Sequence, residues 1–339
     1  MRIGMDCRKI GDFGIGSYIR GLLHALAALG GEEYVAFGPA EIGGALPAGV
    51  EHVVVDAPKY SLRELFRIGR AADRARLDLF HAPHYVVPFL RTPFVVTIHD
   101  LIHLRRRNPL QRVYAQTMIG RAVRRSRRVL SVSRAVGDEI AEAFGHGDKI
   151  AVTPNGVDPQ FLAPGPAERG RYFLFVGNDK PHKNVERLIA AFGQLRGVEL
   201  VLAGAEFARF RGTANVTRAG FVELQRLAAL YRGAIAVVQP SLEEGFGLPA
   251  LEAMACGTPA ITSNTPALLE VTGDAALHVD GRDVDEIAAA MRRVMDDPAL
   301  RATLGARGAE RARTFSWSRC AALTRDAYRS AFRLSKGNA

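Results

Sequence analysis

Residues 240–257 read PSLEEGFGLPALEAMACG, and the fold turns on how they are read. An apolar run at 235–239 precedes them and reads as a buried strand. The stretch itself gives a Gly-containing loop, Glu244-Gly245-Phe246-Gly247, and then a short helical pattern with Pro249 in its first turn and Gly257 as its C-cap. A strand, a glycine loop and a helix in that order aim backbone N–H groups and the positive end of a helix dipole at one point. That point suits an anion, a diphosphate above all. Glu244 and Glu252 flank it, eight positions apart. Carboxylates repel phosphate, so their targets are neutral hydroxyls such as those of a ribose or a sugar. An ordinary α/β loop with two solvated glutamates has the same local pattern, so the rest of the chain must decide.

On both sides of this stretch short apolar strands alternate with helical patterns, which predicts an α/β protein of doubly wound domains with parallel sheets. In the second half, a strand at 172–176 feeds the loop Gly177-Asn178-Asp179-Lys180-Pro181-His182-Lys183-Asn184 and a helix reaching 195. A Gly-started loop with two lysines before a helix reads as a phosphate grip or as a solvated turn. A strand at 199–202, the segment Gly220-Phe221-Val222 and a helix at 223–231 lead back to the opening stretch; a strand at 259–262 and helices at 284–295 and 299–313 follow it.

In the first half, the strand Arg2–Asp6 leads through Gly11-Asp12-Phe13-Gly14-Ile15-Gly16 into a helix at 17–29. This is an incomplete dinucleotide fingerprint, because Ile19 stands where the third glycine belongs and no acidic residue clearly ends the second strand. It reads equally well as a flexible loop. Further strands are expected at 79–81, Phe94–Ile98, 129–132 and 150–153. His99, followed by Asp100, stands at a strand end, where ligands of open α/β sheets bind. His81, His84 and His103 lie near equivalent ends and either line an acceptor pocket or hydrogen-bond loops. Their spacing is not that of metal ligands. The Pro- and Gly-rich 159–166 reads as a linker, giving domains at 1–163 and 164–317 with a last helical segment at 318–339.

Composition agrees: 339 residues suit two domains, and 48% apolar content suffices for their cores. No apolar run approaches the ~18 residues of a membrane-spanning helix and no leader-like pattern opens the chain, so a cytoplasmic protein is expected. Cys7, Cys256 and Cys320 are scattered and odd in number, which fits a reducing compartment rather than a disulfide framework or zinc site. The net charge of +10 is uneven: residues 1–163 carry +6, residues 164–317 zero, and residues 318–339 +4. Arginine outnumbers lysine 39 to 6, a bias that does not explain why one half alone is basic. Residues 105–128 hold nine arginines and no acidic residue, and 59–76 set Arg63, Arg67, Arg70 and Arg74 along one helical face. Such helices read as a surface for anionic lipid headgroups or as solvated faces. Nucleic acid is not expected, because aromatic interleaving and known binding modules are absent.

The order E-x7-E with GFGLP inside resembles the donor-site motif of family-four retaining glycosyltransferases of the GT-B fold. The likeness extends to the loop at Gly14–Gly16, His99-Asp100, Ser131-Val132-Ser133, Asn155-Gly156-Val157, Lys183-Asn184, Gly220-Phe221-Val222 and the ending Phe315-Ser316-Trp317. The resemblance implies two Rossmann-like domains facing a cleft, with the last helix crossing back to the N-terminal domain. It implies a nucleotide-sugar donor as co-substrate, held mainly by the C-terminal domain, an acceptor held by the N-terminal one, and retention of anomeric configuration without cofactor or bound metal. By position, Glu252 would bind the ribose hydroxyls, Glu244 the donor sugar's hydroxyls, and the backbone at Val222 the base. Lys183 and the N–H groups of Gly245, Phe246, Gly247 and Leu248 would meet the diphosphate, and Gly14 and Gly16 would approach it. His99 would lie beside the transferred sugar, with His84, Asp100 and His103 on the acceptor side. Asn178 and His182 stand where relatives often carry an arginine, and a flexible Lys180 is not a planar fork.

Asp6-Cys7-Arg8, Gly14-Ile15-Gly16-Ser17-Tyr18 and His99-Asp100-Leu101-Ile102-His103 look most like mannosyltransferase-type members that build surface polysaccharides. GDP-mannose is therefore the first expected donor and a UDP-hexose the second, with a glycan or polyprenyl-linked lipid as acceptor. Competing readings are a nucleotide-binding oxidoreductase, a non-catalytic sugar-nucleotide sensor and a nucleic-acid binder.

Overall fold

The computed structural model describes residues 1–56, 62–105, 108–168 and 170–336. The chain forms two compact units, Met1–Gly156 with Trp317–Ala339, and Val157–Ser316. Of the basic stretches, residues 59–61, Arg106 and Arg107 and the side chain of Arg63 lie outside the described residues.

The first unit runs β1 (Arg2–Asp6), α1 (Ile15–Leu29), β2 (Glu33–Gly38), β3 (Glu51–Val54), α2 (Leu62–Arg74), β4 (Leu79–Ala82), β5 (Phe94–Ile98), α3 (Pro109–Arg125), β6 (Arg128–Ser131), α4 (Arg134–Phe144) and β7 (Ile150–Val152). Its described strands form one parallel sheet in the order β3-β2-β1-β4-β5-β6-β7. Helices cover both faces, so central strands are apolar throughout: every residue of β4 and β5 is buried. On α1, Tyr18, Ile19, Leu22, Leu23 and Leu26 are buried at helical spacing. The helix Trp317–Lys336 packs against α1 within this unit, and Cys320, Ala321, Tyr328 and Ala331 share its core. Their approach requires Gly21, where a Cβ would lie 2.1 Å from Trp317 Cε2.

The second unit runs α5 (Pro159–Leu162), β8 (Tyr172–Asn178), α6 (Val185–Phe192), β9 (Glu199–Ala205), β10 (Val216–Gly220), α7 (Leu224–Gly233), β11 (Ala236–Gln239), α8 (Leu248–Ala255), β12 (Ala260–Ser263), α9 (Pro266–Thr272), β13 (Ala276–Val279), α10 (Val284–Asp296) and α11 (Pro298–Ala312). Its parallel sheet has the order β10-β9-β8-β11-β12-β13. In both sheets the order in which strands are added reverses beside the first strand, between β1 and β4 and between β8 and β11. Such a switch point opens a crevice at the carboxyl ends of the two strands.

The Pro-rich 159–166 is not simply a linker. Asp158 caps α5 by accepting from Gln160 N at 2.9 Å, and Phe161 is buried edge-on against Tyr231 with ring centres 5.5 Å apart. The division between units therefore falls after Gly156, ahead of the boundary at 163 expected from composition. Val157 and Ser316, the ends of the second unit, form a parallel bridge. No helix among the described residues is long and apolar enough to cross a membrane.

Candidate functional site

The opening stretch lies at the switch point of the second unit. β11 supplies Gln239, the loop after it supplies Ser241 and Glu244, and the loop after β8 supplies Lys183 and Asn184. Three bonds stitch the two loops together: Leu242 N donates to His182 O at 2.7 Å, Asn184 Nδ2 to Pro240 O at 2.9 Å, and Lys183 Nζ to Glu244 Oε1 at 2.6 Å. Asn184 adopts φ 61°, a left-handed conformation that asparagine tolerates better than most residues. Glu244 Oε1 also accepts from Gln239 Nε2 at 2.7 Å and Ser241 Oγ at 2.8 Å. Burial would push this carboxyl upward, but the Lys183 charge and these hydrogen bonds outweigh it and hold its pKa below the usual carboxylate value.

Gly245, Phe246 and Gly247 lead from Glu244 into α8, whose first residue is Leu248. Gly247 caps this helix at φ 100° with no side-chain hydrogen bond, and the first turn holds no acidic residue. Ala250 N donates to Gln239 Oε1 at 3.1 Å, so one glutamine ties the helix start to the Glu244 cluster. A Cβ at Gly247 would lie 2.4 Å from Leu268 Cδ2, so glycine is needed for space as well as for conformation. An N-terminus capped in this way, beside a lysine, attracts an anion.

Glu252 sits on α8, partly buried, with Tyr231 OH donating to its Oε2 at 2.7 Å. Burial is the main cause that lifts its pKa to about 7; the tyrosine hydroxyl pulls it down in part, and Asp158 adds to the rise. Asn178 ends β8 at the same crevice, and its buried Oδ1 has no hydrogen-bond partner among the described residues. Val222 follows β10, half-buried next to the exposed Phe221.

In the first unit the strand ends gather histidines of different kinds. His81 is fully buried and uses both ring nitrogens, Nδ1 with Tyr328 OH and Nε2 with Thr97 Oγ1, each at 2.7 Å. Burial drops its pKa to about 3, with the His99 charge adding to the fall, so it is a neutral core residue. His99 Nε2 lies 3.0 Å from Pro83 O, and its ring meets Tyr18 edge-on at 4.8 Å. Burial lowers its pKa, and Pro83 and Asp100 only partly reverse the effect. A neutral ring that donates Nε2–H to Pro83 leaves Nδ1 as an acceptor.

His84 packs on Tyr85 at 4.1 Å, His103 lies 5.4 Å from the same ring, and Asp100 Oδ1 accepts from Ile102 N at 3.0 Å. Gly14 caps α1 at φ 54° without a side-chain hydrogen bond, and Gly16 fits where a Cβ would come within 2.5 Å of Ile10 O. The structure thus brings together Lys183, Glu244, the Gly245–Leu248 segment, Glu252 and Asn178 in one unit, and His84, His99, Asp100 and His103 in the other. Sequence reasoning missed Gln239, Ser241 and Tyr231, and took Asn184 only as the neighbour of Lys183. A polar Gln closing an otherwise apolar strand was the available signal.

Residues 159–311 match the family model of group 1 glycosyl transferases, and residues 14–161 match that of glycosyltransferase family 4. The chain is 32% identical to O-antigen chain mannosyltransferase B of Escherichia coli over 283 residues, 74% of each protein. It is 31% identical over 252 residues to an O-antigen chain mannosyltransferase of Salmonella typhimurium, covering 70% of this chain and 69% of that one. The structure of a sucrose-phosphate synthase from Thermosynechococcus elongatus superposes with a TM-score of 0.84 at 22% identity, over 98% of this chain and 100% of that one. Two doubly wound units with this strand order define a GT-B protein. The chain belongs to the family-4 glycosyltransferases.

Proposed function

We propose that the protein is a retaining hexosyltransferase of polysaccharide biosynthesis. It moves a hexosyl group, mannose from GDP-mannose first, to a glycan or lipid-linked acceptor. The observation that carries this reading is the Lys183–Glu244 clamp beside the start of α8, at the switch point of the second unit. There the diphosphate takes Lys183 and the backbone N–H groups of the α8 turn. The ribose hydroxyls take Glu252, and the sugar hydroxyls take Glu244. The two mannosyltransferase relatives support mannose as the sugar. We place the acceptor on the first unit, near His84, Asp100 and His103, and the protein in the cytoplasm.

In the reaction the bond from the anomeric carbon to the diphosphate oxygen breaks, and its electron pair leaves with the nucleoside diphosphate. Lys183 and preorganised N–H groups stabilise that growing charge more than they stabilise the ground state, which lets the chemistry proceed without a metal. Glu244 makes a poor nucleophile, because Oε1 already accepts three hydrogen bonds, one of them from a lysine. Retention then comes from attack by the acceptor oxygen on the face the diphosphate leaves, with the hydroxyl proton passing to the departing oxygen. His99, neutral, accepts a sugar hydroxyl at Nδ1.

The test is a thermal-shift panel with GDP, UDP, ADP, dTDP and NADH, since a ligand at about 100 times its Kd stabilises by ~2.7 kcal/mol. A selective GDP shift, followed by turnover of GDP-mannose in EDTA with the product α-linked by NMR, is the expected result. A UDP shift moves the donor to a UDP-hexose. A response to NADH alone, or a linkage inverted relative to the donor, overturns the reading.

A further inference from the structure

His99 stands at the end of a chain of buried polar side chains that the steps of sugar transfer do not use. His81 of β4 lies two positions before Pro83, and Thr97 of β5 two before His99, which is the repeat of a strand. β4 and β5 are adjacent and parallel. His81 Nε2 meets Thr97 Oγ1 at 2.7 Å, and Thr97 Oγ1 meets Tyr18 OH of α1 at 2.8 Å. On its other side His81 Nδ1 meets Tyr328 OH of the C-terminal helix at 2.7 Å. These four side chains are fully buried, whereas His99 is not. Tyr18 closes the chain against it, with ring centres 4.8 Å apart and planes at 84°. Trp317 stands 6.3 Å from Tyr18, edge-on.

The protons give this chain a direction. Tyr328 OH meets only His81, and Tyr18 OH only Thr97, among the described residues. A buried hydroxyl proton left unpaired is costly, so Tyr328 donates to His81 Nδ1. The proton of that neutral ring then sits on Nε2 and goes to Thr97 Oγ1, whose two lone pairs can also accept Tyr18 O–H. No member can turn without stranding the next. Apolar side chains would fill the same space without fixing an orientation, and a satisfied polar chain fixes one.

We propose that Tyr18 is a positioning residue for sugar transfer, on the reading given above that His99 contacts the transferred sugar. Tied through Thr97 and His81 to Tyr328, Tyr18 holds the imidazole in the orientation that spends Nε2–H on Pro83 O and keeps Nδ1 an acceptor. The C-terminal helix thereby bears on the reaction through Tyr328, without touching substrate.

The test uses Tyr18→Leu, Tyr18→Phe and Tyr328→Phe in the full chain, each alone and combined with His99→Ala. Single-turnover transfer from GDP-mannose, GDP titration and 15N NMR of the histidine rings are measured on every variant. Tyr18→Leu slows transfer by about 10- to 100-fold at unchanged GDP affinity, and the two phenylalanine variants slow it less. In the His99→Ala background none of them slows transfer further, because each acts only through that ring. The His99 signals, assigned by their loss in His99→Ala, report the Nε2–H tautomer in the parent and a mixture of tautomers in Tyr18→Leu. Tyr18→Phe keeps the ring and tests the hydroxyl alone, so the test survives poor folding of Tyr18→Leu. Parent rates in all three variants, losses that add to that of His99→Ala, or an unchanged His99 spectrum overturns the proposal. Full transfer by His99→Ala overturns it as well. A parent that turns over no nucleotide sugar defeats the transferase reading instead, and the His99 tautomer in the Tyr18 variants then decides the positioning by itself.

Discussion

Lys183→Met tests the clamp most directly. In the parent, the ammonium meets Glu244 Oε1 at 2.6 Å, and the two side chains keep only 19% and 9% of their exposure. Removing one partner of a buried pair costs about 3–5 kcal/mol, and the residual exposure of Lys183 favours the lower end, about 3 kcal/mol. For a unit of this size that lowers the melting temperature by about 6–12 °C. The sign with pH follows from the two carboxyl states. In the parent, Glu244 titrates below its unfolded value, so its stabilisation is present above that value and is lost as pH falls through the lower folded one. In the variant Gln239 and Ser241 remain but the charge is gone, and burial lifts the carboxyl above its unfolded value. Stability then falls as pH rises toward that lifted pKa. The gap between parent and variant is therefore wider at pH 8 than at pH 4.5. Adding Glu244→Gln removes the stranded charge and restores most of the melt, while sugar transfer stays slowed by ~100-fold or more because the leaving group still lacks Lys183. Differential scanning calorimetry at both pH values, with single-turnover transfer, makes the measurement. A gap of equal size at the two pH values, or no recovery in the double variant, refutes the reasoning.

Three further outcomes are expected. Glu252 is held protonated by the fold up to about pH 7, so its presence makes stability fall as pH rises from the usual carboxylate range to about 7. Glu252→Gln abolishes that fall, and melts from pH 4 to pH 8 will show the variant gaining on the parent. Gly247→Ala must hold a left-handed backbone and press on the buried Leu268, which costs about 1–3 kcal/mol from conformation alone; urea melts and nucleotide titration should show stability and affinity lost together. Gly21→Val drives a side chain into Trp317 and overpacks α1 against the C-terminal helix, for a loss of about 1–3 kcal/mol by the same melts.

How much of this was legible depends on what each element is made of. Central strands such as β5 and β11 are buried along their length and announce themselves as apolar runs. β2, β3, β10 and β13 were given no strand range. β3 and β10 are edge strands with no fully buried residue, so their apolar signal is weak, whereas β2 and β13 carry buried residues and were passed over all the same. The opening stretch was read nearly residue for residue, because Gly247 and Pro249 punctuate it chemically. The polar network of His81 depends on Tyr328, 247 positions away, and no local pattern announces a contact of that range.

The paired glutamates show the same limit in its sharpest form. The spacing E-x7-E presents them as equals, and composition gives no reason to separate them. Tertiary contacts do: Glu244 gains three donors at one oxygen, a lysine among them, whereas Glu252 gains a tyrosine and a nearby Asp158. One carboxyl is pushed down and the other up, although both are largely removed from water. Glu244 is thus fixed as an anion that orders the loop, and Glu252 titrates close to neutrality. If Glu252 accepts ribose hydroxyls as a carboxylate, nucleotide binding must expel its proton below pH 7. The two glutamates therefore differ in charge state because their neighbours differ, and those neighbours, Gln239, Ser241 and Tyr231, are the residues that motif reading passes over.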